Sequence, residues 1–477
     1  MNFGEGRDHL TICSVSTPMG YGGISVIRVS GPNAFEITQK SLKKKNRKFE
    51  SHKAFLDEFL NTQTEKSIDE VLVLPFEAGK SFTGERVVEI SCHGSPVICT
   101  AILNELCRNG CELAINGEFT YRAFMNDRLD LIQAESVLSL IHSHSELGSE
   151  LALRQLKGEL STKLTSIKDD IVWCLAHIEA GIDFSEQGIS VVEDTVLINK
   201  LENVQNHFKD LLDTYETGRV LKDGIVLVLS GEPNVGKSSL MNVLLGNDRS
   251  IVSDIAGTTR DVIREDLLFK NLKFTLVDTA GIRVNSSDPI EKIGVERSIK
   301  ERQGSFINLV ILDATKPLKD QHELIFKDLN LERTLFILNK VDLLENEQLP
   351  AKQAELKAIL GSIIDEKPYI FDDNSILFTS CKSSKTKQNV LGRVYDYWIA
   401  KFAHIESVSV SSARQREELR QAYDLLLKVI TGLKSQLGSE FIAFDLKDSL
   451  MALQRTVGEV YDDQILDKVF KEFCLGK

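Results

Sequence analysis

The run Gly231-Glu232-Pro233-Asn234-Val235-Gly236-Lys237-Ser238 follows the apolar stretch Ile225 to Ser230 and leads into the helical pattern Ser239 to Leu245. Glycines at this spacing let successive backbone N–H groups turn inward around a phosphate, and the start of the next helix adds the positive end of its dipole. Lys237 would then supply a point charge to the β- and γ-phosphates, with the Ser238 hydroxyl as the natural Mg²⁺ ligand. The expected phosphate contacts are Asn234, Val235, Gly236, Lys237, Ser238 and Ser239. The bland alternative is a glycine-rich turn that binds nothing; the strand before it and the helix after it argue against that.

Further loops follow in the order a nucleotide hydrolase needs. In Ala256-Gly257-Thr258-Thr259-Arg260-Asp261, Thr259 would complete the Mg²⁺ shell once a γ-phosphate is present, with Thr258 beside it. Asp278-Thr279-Ala280-Gly281 closes the apolar run Lys273 to Val277; Asp278 would hold Mg²⁺ through water and the Gly281 N–H would reach the γ-phosphate. Asn339-Lys340-Val341-Asp342, at the end of Thr334 to Leu338, selects the base. The Asp342 carboxylate accepts from both N1–H and the N2 amine of guanine, a donor pair that adenine lacks. GTP and GDP are therefore the expected nucleotides. Ser380-Cys381-Lys382, after Ile376 to Thr379, is placed for a backbone contact to the base, with Cys where Ala is usual. Ile282, directly after Gly281, cannot orient a water by hydrogen bonding, so help for hydrolysis must come from elsewhere.

These loops need a scaffold. At 477 residues the chain exceeds what one core usually organises, and about 150 residues per domain suggests about three. Residues 1–126 mix short β-like runs (Ile24 to Val29, Val71 to Leu74, Val87 to Ser91) with a helical stretch near Ser95 to Cys107, the pattern of an α+β module. Residues 127–221 turn to helical periodicity, and the same signal returns in 401–477, where Leu419, Ala422, Leu425, Leu426, Val429, Ile430 and Leu433 form one stripe. Both stripes need partners, and one bundle made from the two segments satisfies both. The expected architecture is an α/β P-loop GTPase domain, Ras-like with a mostly parallel sheet, spanning 222–400 and inserted into an α-helical bundle, with the α+β module in front.

Composition excludes other classes. A net charge of −13 argues against gripping nucleic acid over the whole surface; a local patch remains at Lys40, Lys43, Lys44, Lys45, Arg47 and Lys48, although such a run is usually a solvated face. Eight cysteines spread through the chain without a signal peptide point to reduced thiols in the cytoplasm. Cys107 and Cys111 lack a second pair with zinc spacing. No apolar run approaches the roughly 20 residues that span a bilayer, so no membrane association is expected.

With GEPNVGKSS, AGTTRD, DTAGIR and NKVD in view, the flanking blocks GGISVIRVSGP, SFTGERVVEISCHGSP, GEFTYRAFMNDRLDLIQAE and IEAGIDF, and the ending Cys474-Leu475-Gly476-Lys477, the whole chain resembles the tRNA uridine-modification GTPase family MnmE, also called TrmE. The resemblance implies an amino-terminal tetrahydrofolate-binding-like module that also dimerises. It implies a flavin-dependent partner, MnmG (GidA), with which an aminomethyl or carboxymethylaminomethyl group is added to C5 of wobble uridine in certain tRNAs. The carbon would come from a 5-formyl- or methylene-tetrahydrofolate, held by Arg28, Glu89, Arg128 and Lys477. Arg128 stands where the family usually has Lys, and a guanidinium is not an ammonium. Hydrolysis would be potassium-stimulated and coupled to conformational change, with K⁺ held by Asn234 and by backbone carbonyls around Ser253, Ile255 and Thr258, and with Glu291 orienting the water. Cys474 would act as a nucleophile or a proton carrier near the folate if its thiolate is stabilised.

The rival reading is a ribosome- or RNA-associated regulatory GTPase without modification chemistry. Gly20-Tyr21-Gly22-Gly23 formally fits an RNA-clamping GXXG turn, but it precedes a strand.

Overall fold

The computed structural model describes residues 6–7, 9–183, 193–246, 263–278, 305–318, 330–363, 375–402, 408–473 and 476. By its internal contacts the chain forms two compact units, one of 1–142, 152–213 and 412–477, the other of 143–151 and 214–411.

In the first unit, β1 (Ile12–Val15), β2 (Gly22–Ser30), β3 (Phe55–Leu60), β4 (Ser67–Phe76), β5 (Val87–Gly94) and β6 (Glu112–Leu113) form one sheet in the order β3-β4-β5-β2-β1-β6. Its pairs are antiparallel except β1 with β6. Period-two alternation sends Phe55 and Phe59 of β3 and Val88, Ile90 and Cys92 of β5 to one face. Phe35 and Ile37 of the helix Ala34–Lys40 and Ile102 and Leu106 of the helix Pro96–Arg108 complete that core.

The helical stripes bury as their periodicity requires. Leu197, Leu201, Val204, Phe208 and Leu211 line one side of the helix Asp194–Asp213. Leu419, Ala422, Leu426, Val429, Ile430 and Leu433 do so on Ala413–Lys434, while Leu425 falls just off the stripe and is half-buried. These two helices pack together, and Ala413–Lys434 also packs along Ser439–Val457, which lies against Glu159–Asp183. The bundle is thus built from both chain segments. Arg414 stitches them: its Nε donates to Glu135 at 2.7 Å, and its Nη1 and Nη2 donate to the Arg455 and Thr456 carbonyls, each at 3.0 Å.

In the second unit, β7 (Ile225–Ser230), β8 (Ile263–Phe269), β9 (Leu272–Asp278), β10 (Ile307–Asp313), β11 (Thr334–Asn339) and β12 (Ile376–Phe378) lie in the order β12-β11-β10-β7-β9-β8. All pairs are parallel except β8 with β9. Both β10 and β11 are buried at every residue, as strands covered on two faces must be. Leu309 and Ile311 meet Leu240, Leu244, Val394 and Trp398 on one side; Val310 and Leu312 meet Leu356 and Leu360 on the other. This unit extends beyond 222–400, because Leu147, Leu151, Val220 and Leu221 pack into the core beneath β7.

Candidate nucleotide site and a second charged cluster

The loop after β7 is shaped by backbone that side chains rarely adopt. Asn234 has φ 66° and Gly236 φ 105°. A Cβ on Gly236 would fall 2.3 Å from Asn339 Nδ2, so only glycine permits the base-side loop to approach. The contact is used, since Asn339 Nδ2 donates to the Val235 carbonyl at 2.9 Å. Lys340, also left-handed at φ 66°, donates to the Asn234 carbonyl at 2.8 Å and to Asp313 at 2.6 Å. The phosphate-side and base-side loops are therefore one bonded assembly, at the carboxyl ends of parallel strands where open α/β sheets bind ligands.

Lys237 opens the helix Lys237–Leu245, and its Nζ donates to the carbonyls of Gly231 at 2.8 Å and Glu232 at 2.7 Å. Burial pushes this ammonium below the ordinary lysine range, opposed by Asp278 and Glu232. An ammonium has three donors, so one remains beyond these two bonds. Ser238 and Ser239 are exposed on the first turn of the same helix, and Asp278 is buried at the end of β9. Asp342 pairs with Lys382 at 2.8 Å, and hydrogen bonds from Lys382 and Ser380 hold its carboxyl below the usual carboxylate range. Ser380 is fixed by Thr386, whose hydroxyl donates to its carbonyl at 2.7 Å, and Cys381 Sγ lies 3.6 Å from Asn339 Oδ1.

Asp313 was not singled out from the sequence. Burial alone would raise its carboxyl, but hydrogen bonds from Lys340 and Thr315 outweigh that and hold it low. The signal was present: a lone carboxylate ending the apolar run Ile307–Asp313. Ser253, Ile255, Thr258, Thr259, Thr279, Ala280, Gly281, Ile282 and Glu291 lie outside the described residues, as do Cys474 and Lys477.

A second cluster forms in the amino-terminal module. Arg28 of β2 and Glu89 of β5 are cross-strand partners, with Nη2 and Nε donating to Glu89 Oε1 at 2.8 and 3.1 Å. The guanidinium lies over the rings of Phe82 and Phe119, 5.4 and 5.6 Å from their centroids. Two residues past Phe82, a Cβ on Gly84 would sit 3.1 Å from Arg128 Cγ, which brings Arg128 to the same loop. Glu85 pins that loop, accepting from buried Arg122 at 3.1 Å and from Ser30 at 2.6 Å. Phe82, Glu85 and Arg122 were not read as site residues, although SFTGE and TYRAF carry them. Gly476, at φ 90°, packs so closely on β1 that a Cβ would meet the Val15 carbonyl at 2.1 Å. Val15 pairs with Ile27, so the carboxy-terminal glycine sits beside the strand that carries Arg28.

Among the described residues, no helix is long and apolar enough to cross a membrane, and the cysteines are free thiols. Gly20-Tyr21-Gly22-Gly23 runs into β2 rather than a helix-loop-helix, which removes the RNA-clamp match.

A phosphate loop bonded to an Asn-Lys-x-Asp loop on a mostly parallel sheet defines a P-loop GTPase, here joined to a helical domain and an α+β module. The chain matches the family models "MnmE helical domain" over residues 131–474 and "GTP-binding protein TrmE N-terminus" over residues 11–128. It is 45% identical to the tRNA modification GTPase MnmE of Bdellovibrio bacteriovorus, covering 99% of this chain and 98% of that protein. Proteins of the same name from Alkaliphilus oremlandii and Carboxydothermus hydrogenoformans are each 36% identical over 98% of this chain and 99% of theirs. The chain belongs to the MnmE family of tRNA modification GTPases.

Proposed function

We propose that this enzyme hydrolyses GTP to drive, with the flavin-dependent partner MnmG, addition of an aminomethyl or carboxymethylaminomethyl group to C5 of wobble uridine in certain tRNAs. The observation that carries the reading is the seating of Gly476 on β1 beside the Arg28 strand, in a chain related along its full length to tRNA modification GTPases. Gly476 belongs to the ending Cys474-Leu475-Gly476-Lys477, and the strand it lies on pairs with the one that carries Arg28. Residues 1–126 are the folate-binding and dimerising module, 127–221 and 401–477 the helical domain, and 222–400 the GTPase domain; the protein acts in the cytoplasm.

The residues present suit the groups this reading requires. Glu89 uses Oε1 for Arg28, and among the described residues its Oε2 has no partner, as a heterocycle rich in N–H donors would need. Arg28, Glu89, Arg128 and Lys477 would hold the tetrahydrofolate derivative, which supplies the one-carbon unit; FAD and NADH belong to the partner. Ser238 and Thr259 would bind Mg²⁺, and Asn234 with the carbonyls of Ser253, Ile255 and Thr258 would bind K⁺. A cation there neutralises charge between the β- and γ-phosphates, the task an arginine finger performs elsewhere. Lys237 holds the phosphates, and Glu291 orients the water that Ile282 cannot. Cys474 serves the folate site as nucleophile or proton carrier.

The test has two parts. GTP turnover in KCl should exceed that in NaCl by about tenfold or more, and Asn234→Ala should erase the difference; equal rates in the two salts would remove the potassium role. Mass analysis of wobble uridines in a deletion strain should show the modified base restored by the wild-type gene and not by Cys474→Ser. Failure of the wild-type gene to restore it would overturn the tRNA-modifying role.

A further inference from the structure

The turn Lys40–Lys48 holds six cations and no carboxylate, in a chain whose acidic residues outnumber its basic ones by 13. In such a chain a carboxylate is the commoner neighbour, and a surface lysine can pair with one. Lys43 does, pairing with Glu58 at 2.5 Å, and beyond the turn Lys53 pairs with Glu50 at 2.5 Å. Among the described residues Lys44, Lys45 and Lys48 have no carboxylate within 4 Å; Lys40 donates only to the Asn109 carbonyl, at 3.5 Å, and Arg47 stacks on Phe55 with 4.1 Å to the ring centroid. Five positive charges within nine residues thus have no ion-pair partner among the described residues, although Lys48 is near enough to Glu50 to help hold its carboxyl low.

This turn is held, not trailing. Leu42 bridges to Phe59 at the outer edge of β3, and the Ser41 carbonyl accepts from Leu60 N at 2.7 Å. The Arg47 carbonyl accepts from Gln39 Nε2 at 2.6 Å, and Phe49 is buried against Phe35 and Phe55. Leu42 in the turn and Phe49 directly after it are both buried, so the exposed face of the turn carries Lys and Asn and no apolar anchor. Protein–protein interfaces centre on buried aromatic or aliphatic anchors. A fixed cluster of cations without one suits a polyphosphate backbone, which is recognised by charge alone.

We infer that Lys40, Lys44, Lys45, Arg47 and Lys48 form a docking surface for the phosphate backbone of the substrate RNA, an inference that rests on the tRNA-modifying function proposed above. The surface contributes sequence-independent affinity, and base selection lies elsewhere.

The experiment compares full-length protein with its Lys44→Ala/Lys45→Ala/Lys48→Ala variant, using fluorescence anisotropy of an unmodified tRNA transcript between 50 and 200 mM KCl. Three lost phosphate contacts should lower affinity at 50 mM KCl at least about tenfold and make the slope of log affinity against log salt shallower by about 2. GTP turnover without RNA should be unchanged, and Lys209→Ala/Lys428→Ala, exposed lysines on other helices, should bind as the wild type does. Equal affinity and slope for wild type and triple variant would overturn the inference, as would binding to anionic vesicles but not to tRNA. In the deletion strain the triple variant should restore less modified uridine than wild type. Full restoration by the variant removes the docking surface and leaves the modifying function standing, whereas failure of wild type itself removes that function.

Discussion

Asp342 and Lys382 face each other at 2.8 Å, where the Asn-Lys-x-Asp loop meets the Ser380 loop. Both side chains are at the surface, where an ion pair is weak, so the carboxylate is readily released to a better-fitting donor set. Guanine presents two parallel N–H donors and xanthine presents one donor beside a carbonyl, so the choice between them lies in whether residue 342 can donate. Asp342→Asn should weaken GDP binding about 100-fold or more, from two charge-assisted bonds at roughly 1.5–3 kcal/mol each. The amide can accept from xanthine N1–H and donate to its O2, so XDP affinity should rise to exceed that for GDP. Competition of GDP and XDP against a fluorescent nucleotide measures both, and a variant that still prefers GDP would show that base choice lies elsewhere. Asn339 and Lys340 would not behave this way, because their side chains hold the phosphate loop through the Val235 and Asn234 carbonyls.

At the scale of elements, the helix Leu131–Ile141 begins with a capping box in which Asp130 accepts from Gln133 N at 2.8 Å and Gln133 Oε1 accepts from Asp130 N at 3.0 Å. Burial raises the Asp130 carboxyl above the ordinary aspartate range. The folded state therefore holds the proton more tightly than the unfolded state, and this group's contribution to stability falls as pH rises through the raised value. Asp130→Asn keeps the acceptor and removes the charge, so it should match or exceed wild-type stability at pH 8 and show a flatter pH dependence. Asp130→Ala should lose about 1 kcal/mol. Urea midpoints followed from about pH 4, the ordinary aspartate value, up to pH 8 decide the matter, and an unchanged slope in Asp130→Asn would remove burial as the cause. The phosphate loop and the stripe on Ala413–Lys434 were legible because their signals are local, whereas this box was not read from the sequence. Strand β3 was not, because Phe-Leu-Asp-Glu-Phe-Leu satisfies helical and strand periods alike. Nor was the Arg28–Glu89 pair, whose partners stand 61 residues apart and meet only through the β2–β5 register.

For the whole molecule, the division into two compact units has a thermodynamic consequence that the two tryptophans can report. Trp398 is fully buried in the core beneath β7, within the nucleotide unit, and Trp173 is on the helix Glu159–Asp183 of the other. A ligand stabilises what it binds by mass action, about 2.7 kcal/mol at 100 times its Kd. For a unit of roughly 200 residues that corresponds to about 5–10 °C. With Mg²⁺ and saturating GDP, the transition followed in Trp173→Phe, where Trp398 is the sole reporter, should rise by that amount. The transition followed in Trp398→Phe should stay within about 1 °C, because the loops that meet at Lys237, Asn339 and Asp342 belong entirely to the unit that Trp398 reports. A common shift in both variants would mean that the two cores melt as one block, and that nucleotide energy reaches the Arg28 cluster through stability itself rather than through a change of conformation.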